Sequence, residues 1–147
     1  MALHYDVQEE LYKEIQTTCG DRLPLFSDIP SMIYTLCIMY ETMRLYPALG
    51  TIPNRPDKDE MLLGKYLIPK NTSIGPDMVN LHRNEKYWGN TSDSFDPSRF
   101  NSCVSTNGDE NWPRIMDGKI KIPAKGAFFP FGEGPRGCLG NVVFAKF

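Results

Sequence analysis

Leu3, Val7, Leu11 and Ile15 recur every four residues, with Asp6, Glu9, Glu10, Lys13 and Glu14 between them. That spacing gathers the apolar side chains on one face of an α-helix. The helix is expected to end near Cys19-Gly20, where Gly20 can take the conformation that stops a helix. A second helix is predicted from Ser27-Asp28, as cap candidates, through Pro30 in its first turn to Leu45-Tyr46, just before Pro47. Its apolar positions form two stripes, Met32, Leu36, Met39 and Met43 in one and Ile33, Cys37 and Tyr40 in the other. A helix apolar around so much of its circumference belongs inside a larger protein.

After Pro47 the pattern shortens. Pro47, Gly50, Pro53, Pro56, Gly64, Pro69, Gly75 and Pro76 punctuate brief apolar runs, and Met61-Leu62-Leu63 and Tyr66-Leu67-Ile68 around Gly64-Lys65 predict a β-hairpin. Pro76 to Arg83 suits a short helix, and Asn84 to Phe100 a meander anchored by Tyr87, Trp88, Phe95 and Phe100. Asn101 to Asn111 is polar and predicts a surface loop. Lys119 to Ile122 predicts a strand, and Leu139 to Phe147 the start of a last helix. The expected fold class is mainly α with small β-sheets, in one unit over residues 1–147.

Composition narrows the function classes. With 41% hydrophobic and 23% charged residues, the chain is an ordinary globular sequence rather than a disordered or fibrous one. Sixteen Lys plus Arg against eighteen Asp plus Glu give a formal charge of -2, so no basic field draws it to nucleic acid. No apolar run approaches the roughly 18 to 20 residues of a membrane span, and the N-terminus carries no secretory pattern. Cys19, Cys37, Cys103 and Cys138 lie far apart, with His4 and His82 the only histidines, so structural zinc spacings are missing. Free thiols in a reducing compartment are the expectation.

The most specific stretch is Phe131-Gly132-Glu133-Gly134-Pro135-Arg136-Gly137-Cys138-Leu139-Gly140. Three glycines between Phe131 and Cys138 free the backbone to curl and to turn N–H groups inward. Arg136 and Cys138 are left to face whatever the curl encloses. Cys138 stands at the predicted start of the last helix, where unpaired amides favour an anion, so the position suits a metal ligand or a nucleophile.

Phe131, Gly134, Arg136, Cys138 and Gly140 stand at the spacing F-x-x-G-x-R-x-C-x-G, which resembles the haem-binding signature of the cytochrome P450 family. Glu41-Thr42-Met43-Arg44 before Leu45-Tyr46-Pro47 is similar to the family's E-x-x-R helix. Such a pair is commonplace on a helix surface, but on a nearly all-apolar helix its charges need buried partners. Phe95-Asp96-Pro97-Ser98-Arg99-Phe100 resembles the P-E-R-F region that supplies the third member, here Arg99. Leu81-His82-Arg83-Asn84 and Tyr87-Trp88-Gly89 look like the stretch between those motifs, with His82 a positioned residue rather than a ligand.

The blocks follow the family's order over the whole chain, from just after the oxygen-binding helix to the start of the last long helix. The resemblance thus implies the C-terminal, haem-binding portion of the cytochrome P450 fold, without the N-terminal anchor, the substrate-pocket helices or the oxygen-activating motif. Asn141 stands where the family often has a basic residue, and Phe144 where Ala is common.

By that resemblance the cofactor is haem b, iron protoporphyrin IX, with Cys138 its axial iron ligand. Arg136 would pair with a propionate, Phe131 would shield the sulfur, and Gly134 and Gly140 would let backbone and helix approach the ring. Asn54-Arg55 lies where a second propionate-binding cation is often found, with Arg55 the candidate. Glu41, Arg44 and Arg99 are expected to form a structural network. The implied chemistry is monooxygenation of a small lipophilic organic substrate, fed with electrons by an NADPH-dependent reductase. An intact eukaryotic relative would sit on the endoplasmic reticulum membrane through its N-terminal anchor. Two other readings stand beside it, a non-catalytic haem-binding remnant and a thiol enzyme using Cys138, the latter lacking a base or resolving cysteine nearby in sequence.

Overall fold

The computed structural model describes residues 3–103, 124 and 126–140. The strand expected at Lys119 to Ile122, most of the polar loop, and the last helix beyond Gly140 with Asn141 and Phe144 lie outside the described residues.

Helix α1 spans Tyr5–Cys19 and stops at Gly20, whose φ of 62° turns the chain while its N–H still reaches the Gln16 carbonyl at 3.0 Å. Val7 and Cys19 are its buried residues. Cys19 is therefore the buried last residue of the helix.

The single helix expected from Ser27 to Leu45 is instead two elements. A 3-10 turn covers Phe26–Ser31, and helix α2 runs Ile33–Leu45 after a break at Met32 (φ -90°, ψ 62°). Pro30 contributes no N–H to a continuous ladder. The Asp28 carboxylate, rather than capping α2, accepts the Leu25 N–H at 2.7 Å and a two-pronged contact from Arg22 at 2.6 and 2.8 Å. Those donors hold the Asp28 carboxyl down at about 2. The cap of α2 comes from α1: Glu14 accepts the Tyr34 N–H at 2.5 Å, the Thr35 N–H at 2.9 Å and the Thr35 hydroxyl at 2.7 Å. A carboxylate twenty residues upstream thus satisfies amides that Met32 cannot.

Helix α2 is the centre of the fold. Leu36, Cys37 and Tyr40 pack with Trp88, Phe100 and Phe128 into one core cluster. Tyr40 and Phe100 lie with ring centroids 5.7 Å apart, Phe100 and Phe128 5.4 Å, and Trp88 meets Phe128 edge-on at 6.0 Å. Each such aromatic buried contributes about 1.5–3 kcal/mol by area, with a further increment from tilted pairing. Burial in this cluster also pushes the Tyr40 hydroxyl up to about 12. Phe128 belongs to the segment that leads into the glycine-rich loop, so the loop is moored to α2 through the core.

Around this centre the chain is thin. Strands β1, Glu60–Leu62, and β2, Tyr66–Ile68, form the expected antiparallel hairpin, with Leu62 opposite Tyr66 and a turn in which Leu63 and Gly64 both have positive φ. An isolated bridge joins Asn54 to Ile74. Helix α3, Met78–His82, starts at Asp77, whose carboxylate accepts the Asn80 N–H. Helix α4, Glu85–Trp88, starts at Asn84, which accepts the Lys86 N–H. Helix α3 falls within the short helix expected at Pro76 to Arg83, and the expected meander from Asn84 to Phe100 holds α4 and the first residues of a 3-10 stretch at Pro97–Cys103. No helix among the described residues is long and apolar enough to cross a membrane.

Candidate functional site

Glu41 and Arg44 lie one helical turn apart on α2, and both are wholly buried. Arg44 Nε donates to Glu41 Oε2 at 2.7 Å and Nη2 to Oε1 at 2.8 Å. Nη1 donates to the carbonyls of His82 and Ser92 at 2.8 and 2.6 Å, and Nη2 also to that of Ser94 at 3.2 Å. All five guanidinium N–H groups are thereby used, which is the condition for burying a fixed charge. The Trp88 ring lies 5.1 Å from the guanidinium carbon. Glu41 Oε1 also accepts the Asp96 N–H at 2.9 Å, and Arg99 Nε stands 3.5 Å from it. Arg99 binds the Trp88 carbonyl through Nη1 and both oxygens of Thr91 through Nη2. The structure brings Glu41, Arg44 and Arg99 together, and the network fastens the 82–99 segment to α2.

The glycine-rich loop rests on this platform. Phe129 accepts the Gly132 N–H at 2.9 Å, Gly134 accepts the Gly137 N–H at 2.9 Å across a 3-10 turn over Gly134–Arg136, and Phe131 accepts the Cys138 N–H at 2.8 Å. The last bond closes the loop at its two signature ends. Gly132 has φ 71°, and a Cβ there would meet Ile52 Cδ1 at 3.0 Å, so only glycine fits without a shift. At Gly140 a Cβ would stand 3.3 Å from Cys138 Sγ, so its absence keeps space at the sulfur. Phe131 is half-buried, while Gly134, Arg136, Cys138 and Gly140 are exposed. Cys138 is a free thiol.

Beside the loop lies a cleft of about 410 Å³, walled by Ile52, Asn54, Phe129, Glu133 and Arg136 among others. Asn54, not Arg55, reaches its wall; the Asn54 Oδ1 accepts the Arg55 N–H at 2.9 Å and Arg55 is exposed one residue away. Glu133 was read in the sequence only as part of the loop, yet it shares this wall with Arg136. The donor set suits a large anionic cofactor with a metal: one accessible soft thiol, a guanidinium, apolar walls of Ile52 and Phe129, and a backbone able to pass close.

His82 connects platform and loop. It is fully buried on α3. Its carbonyl takes the Arg44 bond, while its Nε2 accepts the Phe129 N–H at 3.3 Å. Burial, aided by the Arg44 charge, lowers its pKa to about 4, so the ring is neutral near pH 7. Position within an apolar stretch could suggest burial of His82 from sequence, but its link to the loop has no sequence signal.

A family model described as cytochrome P450 matches residues 1–146. The chain is 32% identical over 140 residues to the Caenorhabditis elegans protein CYP13A3, described as a cytochrome P450, covering 95% of this chain and 24% of that protein. It is 31% identical over 141 residues to the protein LUTEIN DEFICIENT 5, chloroplastic, of Arabidopsis thaliana, covering 96% and 21%. Among solved structures, a zebrafish cytochrome P450 with abiraterone superposes with a TM-score of 0.72 at 28% identity, over 97% of this chain and 30% of the other. One with progesterone superposes with a TM-score of 0.70 at 27% identity, over 97% of this chain and 29% of the other. The chain spans about a quarter of the length of the curated relatives it matches.

Proposed function

Because the chain belongs to the cytochrome P450 family, we propose that residues 1–147 are the haem-proximal, C-terminal portion of a haem-thiolate monooxygenase. The observation that carries the reading is the loop closed between Phe131 and Cys138, with an exposed free thiol beside a cleft that Arg136 lines. Cys138 is the sulfur donor to iron. Arg136 pairs with one propionate, and Arg55, exposed and next in sequence to Asn54 of the cleft wall, with the other. Phe131 packs beside the sulfur and limits water, while Gly134 and Gly140 leave room for the ring. Haem b held by a thiolate supplies activation of dioxygen and insertion of one oxygen atom into an organic substrate.

The protein's own contribution on this side of the ring is to hold the sulfur still, neutralise the propionates and anchor both to α2 through Phe128. Electrons come from an NADPH-dependent reductase, and the substrate is a small lipophilic molecule, a class supported by the abiraterone and progesterone held in the two zebrafish structures. An intact eukaryotic relative would act at the endoplasmic reticulum membrane, held there by its N-terminal anchor.

Titration of the chain with haem, followed by absorbance, tests the cofactor site. Arg136→Ala and Arg55→Ala should each weaken binding by roughly tenfold, as loss of a charge-assisted contact does. Affinity untouched by Arg136→Ala contradicts the proposed site.

A further inference from the structure

His82 has two attachments that lead in different directions, and the catalytic chemistry uses neither. Its carbonyl is an acceptor in the buried Arg44 cluster, at 2.8 Å. Its imidazole Nε2 accepts the N–H of Phe129 at 3.3 Å, and Phe129 in turn accepts the Gly132 N–H. The ring lies 5.2 Å from that of Phe128 and meets Phe129 edge-on at 5.8 Å, so it fills the space between the two residues that enter the loop. A backbone amide in a segment without regular ladder bonds needs an acceptor when buried, and here a side chain provides it.

We infer that His82 is a positioning residue whose Nε2 pins the Phe129 amide, and with it the entry to the Cys138 loop, to the Glu41–Arg44–Arg99 platform. The inference deepens the proposed function and rests on it for its purpose, since a held loop matters because Cys138 must present its sulfur in one place. The geometry also fixes the tautomer. Nε2 accepts, so the proton of the neutral ring is on the buried Nδ1.

Nitrogen-15 NMR of the labelled full chain near pH 7 reads the tautomer directly, without any substitution. The expected result is a neutral ring protonated at Nδ1, and a ring protonated at Nε2 overturns the inference. Amide exchange gives the second reading. His82→Leu should speed exchange at Phe129, Gly132 and Cys138 by roughly tenfold through the lost acceptor, while the α2 amides from Leu36 to Leu45 stay protected. His82→Gln, which can place an oxygen near the Nε2 position, should restore part of the protection. Loop exchange unchanged in a folded His82→Leu chain overturns the inference, as does equal loosening of α2 and the loop in both variants. The tautomer decides the matter where His82→Leu does not fold. Haem ligation by Cys138 is read separately in the spectrum of the loaded chain, so either reading can fail while the other stands.

Discussion

Arg44 sends its five N–H groups to Glu41 and to three backbone carbonyls in a place water does not reach. Removing one partner strands the other's charge, and Glu41→Ala or Arg44→Ala should destabilise the chain by about 3–5 kcal/mol. Urea unfolding measures it; a loss below about 1 kcal/mol would place the pair in solvent-like surroundings. Glu41 and Arg44 were legible because two charges on an apolar helix demand buried partners. The carbonyls of His82, Ser92 and Ser94 were not, since every residue has a carbonyl and none advertises its direction.

A second prediction belongs to His82. Its pKa is about 4 in the fold against about 6.5 in the unfolded chain. Between those values the unfolded chain takes up a proton that the fold refuses. Stability is therefore full above about pH 6.5 and falls as the pH drops towards 4, by up to about 3 kcal/mol. Denaturant midpoints across that window should slope more steeply for the wild type than for His82→Gln; equal slopes would contradict the buried neutral ring.

At the scale of elements, the join between α1 and α2 is the least local feature. Tyr34 and Thr35 give their first-turn amides to Glu14, so Glu14→Ala should lower stability by about 1–2 kcal/mol, with exchange at those two amides rising first. Thermal unfolding and site-resolved exchange measure both, and unchanged protection at Tyr34 and Thr35 would remove Glu14 from the cap. Periodicity found α1, α2 and the hairpin, because each depends on neighbours three, four or two residues away. It placed Glu14 on a solvated polar face and ran α2 back through Pro30, because a cap from another helix leaves no mark in the local sequence. It likewise named the Asn54-Arg55 segment but could not fix which of the two faces the cleft; the bridge to Ile74 sets that register.

Over the whole molecule, the described surface carries apolar side chains that nothing covers, including Leu3, Leu23, Phe26, Met61, Leu63 and Leu67. Those on the hairpin and flanking α1 predict that the isolated chain self-associates, with an apparent mass in sedimentation that rises with concentration. A monomer at all concentrations would contradict this. The curl of the signature loop was legible from its glycines, two of which take the positive φ that the turns require. Its mooring through Phe128 and His82 was not, because aromatic packing is decided by the assembled core.

The central claim is that Cys138, and no other cysteine, ligates haem iron. Cys19 and Cys37 are buried and Cys138 is exposed at the loop. The most direct measurement is the absorbance of the reduced carbon monoxide complex of the haem-saturated chain, with each of Cys19, Cys37, Cys103 and Cys138 replaced by Ser in turn. The account predicts that the thiolate-type band is lost in Cys138→Ser and kept in the other three; its survival in Cys138→Ser would contradict the account.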